Sequence, residues 1–479
     1  MAIKSSILYE NPSATAFVVD IPSSIAQAQA LPGQDFPPSR PHPAPSASGS
    51  YHGGRVLLSS TPLREPYPSS TEPKTEAARA RVLERIPLSE RRYHSELIEP
   101  LVTEKLTELN AALENNNEWC LPRIIVDSDA QGSPGKRKRQ RSIAACSCSC
   151  PNQDSGSTHS NRISTRDDPP LILSPGDNAF SSISELSNTV VKNKSIEPAT
   201  VKIRCQSTTD ELNNDRTTTH NYHSFHIPPL SRFLRCTIPI SEPIQEKSHH
   251  HYHHHHQALI PGLPHEQKFN LILLDPPWTN RSVRRSGHYQ TQFYKGWDLL
   301  TQRIRDILRG HLQYDNAFDR EEGTTDTKAP IAAIWITNSA KARKTAYEAI
   351  RGAGLEVCEE WVWLKTTMDG RPITEVGGLW RKPYEVLVIG RQVRESSEDG
   401  DVVRRVIAAV PDVHSRKPNL KELFERMFFS SLEGGCVPYN ALEVFARNLT
   451  AGWWACGDDV LKFNSEEWWV DDTEEGKDM

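Results

Sequence analysis

An α/β domain on a largely parallel sheet, covered on both faces, is the fold class that the sequence predicts for its second half. Three observations carry this expectation. Short apolar runs recur from residue 269 onward with helical patterns between them. Ten of the eleven tryptophans fall in residues 265–479, whereas residues 1–264 hold 27 of the 35 prolines. One apolar run ends on Asp275-Pro276-Pro277-Trp278, a segment suited to the mouth of a crevice at strand ends.

Taken in order, residues 1–72 are rich in Pro, Ser and Ala and are expected to be disordered. Residues 73–126 read as a helical segment. Val102, Leu106, Leu109 and Leu113 share one helix face, and Pro100 suits a first turn, so the stripe is expected to pack on the later domain. Residues 127–200 read as a disordered basic linker. Its run Lys136-Arg137-Lys138-Arg139-Gln140-Arg141 reads equally as a nuclear-import signal or as a solvated charge run. Cys146, Cys148 and Cys150 lack a second ligand cluster, and the run from His249 to His256 has no fixed geometry, so no metal site is expected.

Residues 201–470 form the expected main domain, with an insertion at about 243–264 and an acidic tail over 471–479. Within it, Phe269 to Leu274 and Ile331 to Ile336 are buried-strand runs. A helix from about Lys341 to Ile350 follows, ending near Gly352. Val357 to Leu364 alternates as a strand, Glu385 to Ile389 follows Pro383 as another, Leu420 to Phe429 is helical, and Ala441 to Phe445 is a strand.

Composition excludes several classes. With a net charge of −5 and pI near 6.4, no global cationic field recruits nucleic acid, so any such binding must be local. No apolar run approaches the ~18 residues that span a bilayer. The first ten residues lack a secretory pattern, and nine scattered Cys read as reduced thiols, so an intracellular protein without membrane attachment is expected.

The Asp-Pro-Pro-Trp segment carries the chemistry. Two successive prolines fix φ and remove two backbone N–H groups, so the chain leaves the strand in a rigid, extended turn. The Asp275 and Pro276 carbonyls are expected as free acceptors, and Trp278 as a flat face on which base stacking is worth ~1–3 kcal/mol. Such a receptor suits the exocyclic amine of a nucleobase. Two acceptors hold its N–H groups and localise the nitrogen lone pair, while Asp275 stabilises positive charge developing on the attacking nitrogen. The plainer alternative is a strand followed by a polyproline turn with a packed Trp.

The segments Asp275–Trp278, Asn280-Arg281-Ser282-Val283-Arg284-Arg285-Ser286, Lys382-Pro383-Tyr384-Glu385, His414-Ser415-Arg416-Lys417-Pro418, Leu442 to Leu449 and Gly457 to Phe463 occur in one order. In that order the chain resembles the MT-A70 family of adenine methyltransferases over roughly residues 225–465. The Asn-x-Ser-Val-x-Arg-Ser stretch is similar to the methyltransferase-like protein four branch. The resemblance implies methyl transfer from S-adenosyl-L-methionine to the exocyclic N(6) of adenine, on a Rossmann-like sheet of permuted motif order. Carried over by position, Asp275, Pro276, Pro277 and Trp278 would hold the target adenine and the methyl-donor end, with Glu385 on the substrate side. Lys417 would pair with the cofactor carboxylate or the target site. Glu443, Arg447 and Asn448 would hold ribose hydroxyls, and Asp458 and Asp459 would border the cofactor adenine.

One departure stands out: relatives carry an Asp in the strand preceding the catalytic one, where this chain has Thr237. Its absence would weaken cofactor affinity. The Asp458-Asp459 pair also differs from an Asn-containing form. Arg284 and Arg285, with Tyr289, read as a loop clamping phosphates beside the target base, against the alternative of solvated arginines. Trp361 and Trp363 share one strand face and read as core. The resemblance implies a nuclear monomer (the cytoplasm second) acting on RNA first and DNA second. A non-catalytic scaffold subunit is the opposing reading.

Overall fold

A computed structural model describes residues 5–32, 55–68, 72–114, 119–125, 169–205, 222–240, 258–278, 297–314, 329–379, 381–392, 401–431 and 435–471. The strands, in chain order, are β1 (Ile7–Glu10), β2 (Ala16–Val19), β3 (Arg55–Leu57), β4 (Leu171–Leu173), β5 (Gly176–Phe180), β6 (Val190–Asn193), β7 (Ala199–Arg204), β8 (Tyr222–Ile227) and β9 (Arg232–Arg235). They continue with β10 (Leu271–Leu274), β11 (Ile331–Ile336), β12 (Glu356–Lys365), β13 (Tyr384–Arg391), β14 (Val403–Ala409), β15 (Ala441–Val444), β16 (Trp454–Gly457) and β17 (Trp469–Asp471). The helices are α1 (Ile21–Gln27), α2 (Glu76–Glu84), α3 (Leu88–Arg92), α4 (Glu99–Leu113), α5 (Trp297–His311), α6 (Ala340–Gly352) and α7 (Lys421–Phe428).

Twelve strands form one sheet in the order β1-β2-β14-β12-β13-β11-β10-β15-β16-β9-β6-β4. Its centre, β11-β10-β15-β16-β9, is parallel throughout. Parallel pairing demands a long return, which α5 supplies between β10 and β11. No helix is described between β12 and β13, and these strands accordingly pair antiparallel. The two faces bury separate apolar sets. Ile272, Leu274, Ile334 and Val388 pack under α5 and α6, while Leu273, Trp335, Trp361 and Ile407 pack under α1 and α7. Trp361 and Trp363 are core residues, 1% and 4% exposed.

Three expectations about the first 264 residues are corrected. Residues 5–32 are not without structure: β2 is buried along its whole length and pairs with β14, extending the sheet. Averaging composition over 72 residues hid the local run Ala16-Phe17-Val18-Val19, whose burial offsets the ordering cost. The linker assigned to 127–200 ends by residue 169, because β4 and β6 complete the sheet edge and β5, β7 and β8 form a second, three-stranded sheet. Ile260 and Leu263, inside the assigned insertion, are buried at 0% and 5% exposure. The basic run 136–141, the Cys146–Cys150 run, the His-rich run and residues 472–479 lie outside the described residues.

The chain between α3 and α4 passes through a π-helical turn, Tyr93–Ile98. Helix α4 buries Val102, Leu109 and Leu113. Tyr93 Oη and Tyr347 Oη both donate to Glu360 Oε1, at 2.9 and 2.8 Å, and Arg404 Nε donates to Glu360 Oε2 at 2.8 Å. Lys382 pairs with Glu99 at the base of α4.

Candidate functional site

The crevice opens where β10 ends. β10 connects through α5 to β11 on one side, while its other neighbour is β15, so the strand ends diverge at a topological switch point. The Asp275 amide still donates to the Val444 carbonyl at 3.2 Å, which fixes the first residue of Asp-Pro-Pro-Trp against the end of β15.

Two cations hold the Asp275 carboxylate. Arg447 Nη1 lies 3.3 Å from Oδ2, and Lys417 Nζ lies 3.5 Å from Oδ1. Lys417 also donates to Glu385 Oε2 at 2.5 Å, and Lys365 Nζ lies 2.6 Å from Glu385 Oε1. Glu385 reaches this edge because β13 is antiparallel: its first residues lie beside the carboxyl ends of β11 and β12. The two lysines hold the Glu385 carboxyl far below the ordinary range, against the opposing pull of burial. Burial opposes charge on Lys417 as well, but Asp275 and Glu385 outweigh it and raise its pKa. Lys417 Nζ also sits 4.5 Å from the centroid of the Trp335 ring, on which the ammonium rests.

Backbone strain marks the same place. Phe445 and Ser415 adopt φ of 63° and 73°, left-handed values that cost bulky residues of order 1–3 kcal/mol and cluster at functional sites. The turn at Ser415 aims its carbonyl at Arg447 Nη1, 3.4 Å away. Gly457, at φ 148°, closes β16 against this turn; a Cβ there would stand 3.1 Å from Phe445 Cα.

Glu443 and Asn448 line the crevice with Asp275, Arg447 and Phe445. Burial, with the nearby Asp275 charge, pushes the Glu443 carboxyl up to about 8 despite the Arg447 guanidinium, so it is largely protonated at neutral pH. The buried Asn448 Nδ2 has no hydrogen-bond partner among the described residues. An acceptor and an unpartnered donor lining one crevice are what a vicinal diol would satisfy.

Residues from the first thirty brace both loops of the crevice. The Ser24 hydroxyl accepts the Asn419 amide at 3.0 Å, and the Ala28 carbonyl accepts the Ala451 amide at 2.7 Å. Gln29, fully buried, donates from Nε2 to the Leu449 carbonyl at 2.6 Å and accepts from Asn464 Nδ2 at 2.8 Å. Asn464 Oδ1 in turn accepts the Leu449 amide at 2.6 Å. On the other loop, Arg416 donates to Asp412 Oδ2 at 2.7 Å and to the Leu58 carbonyl at 2.8 Å, anchoring the residue before Lys417.

The structure thus brings Asp275, Glu385, Lys417, Glu443, Arg447 and Asn448 together. Trp278 is corrected. Its indole is 6% exposed, packed in the core on the α5 side, and donates from Nε1 to the Trp335 carbonyl at 2.8 Å. It offers no open face; the tight Pro-Pro turn drives the ring inward, where burial outweighs display. The Pro276 carbonyl is likewise not wholly free, since it accepts the Trp278 amide at 2.8 Å and keeps one lone pair for a ligand. Asp458 and Asp459 are exposed beyond the end of β16, and Thr237 Oγ1 donates to Asp458 Oδ1. Arg284, Arg285 and Tyr289 lie outside the described residues.

Sequence reasoning missed Lys365, Trp335, Ser24 and Gln29. Lys365 closes a strand that the alternation ended one residue early; nothing local in residues 20–30 signals the loops they brace.

A doubly covered, mainly parallel sheet with a charged crevice at its switch point defines an α/β protein that binds its ligand at strand ends. The sequence profile of the MT-A70 family matches residues 316–459. A protein of Cryphonectria parasitica named N6-methyladenosine RNA methyltransferase MTA1 is 43% identical over 215 residues, covering 42% of this chain and 55% of that protein. Human N(6)-adenine-specific methyltransferase METTL4 is 28% identical over 255 residues, 51% of this chain and 44% of its own. A Caenorhabditis elegans protein named DNA N6-methyl methyltransferase is 28% identical over 205 residues, 42% of this chain and 48% of its own. Over residues 316–459 the chain is thus similar to the MT-A70 family. It spans about half the length of the curated relatives it matches.

Proposed function

We propose that this chain is an S-adenosylmethionine-dependent methyltransferase acting on the exocyclic N(6) amine of adenine, in RNA first and DNA second. The observation that carries the reading is the Asp275 carboxylate: fixed by Arg447 and Lys417 at the switch point, 17% exposed, and followed directly by the Pro-Pro turn. A carboxylate fixed in this way accepts one N–H of an incoming amine, and the remaining lone pair of the Pro276 carbonyl accepts the other. Both pulls concentrate the lone pair on nitrogen. Because the acceptors are positioned before the substrate arrives, little reorganisation is needed as positive charge develops there.

The residues present fit the cofactor. Glu443 and Asn448, which line the crevice with Phe445, supply the acceptor and donor that ribose hydroxyls need. When bound, S-adenosylmethionine supplies the electrophilic methyl group. Lys417 is already matched by Asp275 and Glu385, which favours the target-site role over capture of the cofactor carboxylate. The catalytic segment precedes residues 443–459 along the chain, in keeping with a permuted motif order. Trp278 acts here as a wall that sets the turn and positions Trp335. Arg284, Arg285 and Tyr289 are proposed as a phosphate clamp, with the loss of about 0.7 units of salt slope per contact as its test. Nuclear residence, a monomeric state and a border role for Asp458 and Asp459 complete the reading. They are checked by localisation of a variant lacking the 136–141 charges, by sedimentation and by cofactor titration of charge-removed variants.

The deciding experiment is methyl transfer from labelled cofactor to total RNA and to genomic DNA, read by nucleoside mass spectrometry. N(6)-methylated adenosine in RNA is the expected product, and no labelled adenine in either pool overturns the proposal.

A further inference from the structure

On the sheet face away from the crevice, the register aligns Lys192, Arg232 and Trp454 across β6, β9 and β16. Trp454 belongs with Ile272 and Leu442 on the α5 side, whereas crevice residues Leu273 and Trp335 face the α7 side. Lys192 Nζ and Arg232 Cζ lie 5.5 and 5.4 Å from the centroid of the Trp454 ring. Two cations thus stand opposite one another on antiparallel strands, an arrangement that repels.

Neither cation meets a carboxylate at ion-pair distance among the described residues. Arg232 spends one N–H on the Leu230 carbonyl at 3.4 Å, and Leu230 takes a strained φ of 53° just before it. The charges acting on Lys192 are those of Arg232 and Lys194, which together with burial lower its pKa. Both side chains are only half-buried, and beside them Ile172, the neighbour of Lys192 on β4, is 46% exposed. The surface is therefore open, positive and held at an energetic cost that an anion would relieve.

We infer that Lys192, Arg232 and Trp454 form a second anion site, which takes a backbone phosphate of the nucleic-acid strand that feeds the crevice. The inference rests on the nucleic-acid reading above. A guanidinium offers a planar fork to phosphate oxygens, and an ammonium offers a point charge. The indole, 4% exposed, is the platform under the cations and not a surface for bases. Trp454 is in register with Leu442, and Leu442 with Ile272, while Arg232 and Lys192 lie one and two strands further out, so the cations stand three and four strands and three residues from Asp275. That is about 17–22 Å in the sheet plane, on the opposite face, so the phosphate belongs to a flanking nucleotide.

The test uses the full chain and a fluorescent single-stranded RNA containing adenine, with affinity measured between 50 and 300 mM KCl. The double variant Lys192→Ala/Arg232→Ala is expected to lower the slope of log affinity against log salt by about 1.4, two contacts at about 0.7 each. Lys192→Arg is expected to keep the wild-type slope, and cofactor binding should be unchanged in every variant. Arg232→Gln, which keeps the stem, serves if the double variant fails to fold, and should lower the slope by about half as much. An unchanged slope in a folded charge-removed variant overturns this site while leaving the methyltransferase reading intact. Absence of any RNA binding by the wild type overturns both. Loss of binding to phosphatidylserine vesicles, with RNA binding unaffected, overturns it in favour of a membrane partner.

Discussion

Glu443→Gln should remove a pH dependence that the wild type carries. A carboxyl carried from the ordinary 4.5 to about 8 binds a proton in the folded state that the unfolded chain has released. Its contribution to stability is therefore full below pH 4.5 and is lost as pH rises through about 8. The ceiling for such a displacement is about 5 kcal/mol. The side chain is partly open to the crevice, and solvent screening trims this to about 2 kcal/mol. Urea unfolding of the ligand-free protein at pH 5, 7 and 9 measures it. Glutamine cannot ionise, so the stability of Glu443→Gln relative to wild type should rise by about that amount from pH 5 to pH 9. Calorimetry of cofactor binding adds a second reading. If ribose hydroxyls meet the carboxylate, binding at pH 7 releases a proton, and affinity improves up to tenfold per pH unit until about pH 8. Parallel stability curves for the two proteins would refute the assignment of a raised carboxyl to the crevice.

Other consequences can be checked directly. Asp275→Ala should bring methyl transfer below detection while cofactor affinity stays within a few-fold; turnover near wild type would remove Asp275 from the chemistry. Gln29→Leu leaves the Leu449 carbonyl and one N–H of Asn464 unmatched, and should lower stability by about 1–3 kcal/mol and raise KM for the cofactor more than it lowers kcat. Leu109→Ala in α4 should cost about 2–5 kcal/mol by denaturant melt, as for a fully buried leucine; a value under 1 would mean that α4 detaches readily. A cleavage site engineered between residues 32 and 55 should, once cut, leave residues 5–32 bound through size-exclusion chromatography, because β2 is paired on both sides.

The central strands were legible because each is a short apolar run, and Ile331–Ile336 coincides with β11 to the residue. Strands β14 and β16 escaped because Arg404-Arg405 and Trp453-Trp454 break the simple patterns; both are set by their neighbours in the sheet. The charged part of the crevice was legible through motif resemblance, which named Asp275, Glu385, Lys417, Glu443 and Arg447. The orientation of Trp278 was not, because four residues of sequence do not say which side of a turn a ring takes. Residues 5–32 were misread for a related reason: their pairing partners lie some 390 residues away, beyond the reach of any local window.

That separation has a consequence for how the protein is made. β2 is synthesised some 390 residues before its only parallel neighbour, β14, and Gln29 waits still longer for Leu449 and Asn464. Throughout that interval Ala16 to Val19 is an apolar strand with an unpaired edge, a template for wrong pairings. The crevice loops cannot be braced until the same moment, so assembly of the ligand site and burial of the early strand are one event. Such long-range closure is slow. A newly made chain would pass through a stage in which the sheet centre exists and the site does not, and that stage is where chaperone dependence and sensitivity to ligand supply should concentrate.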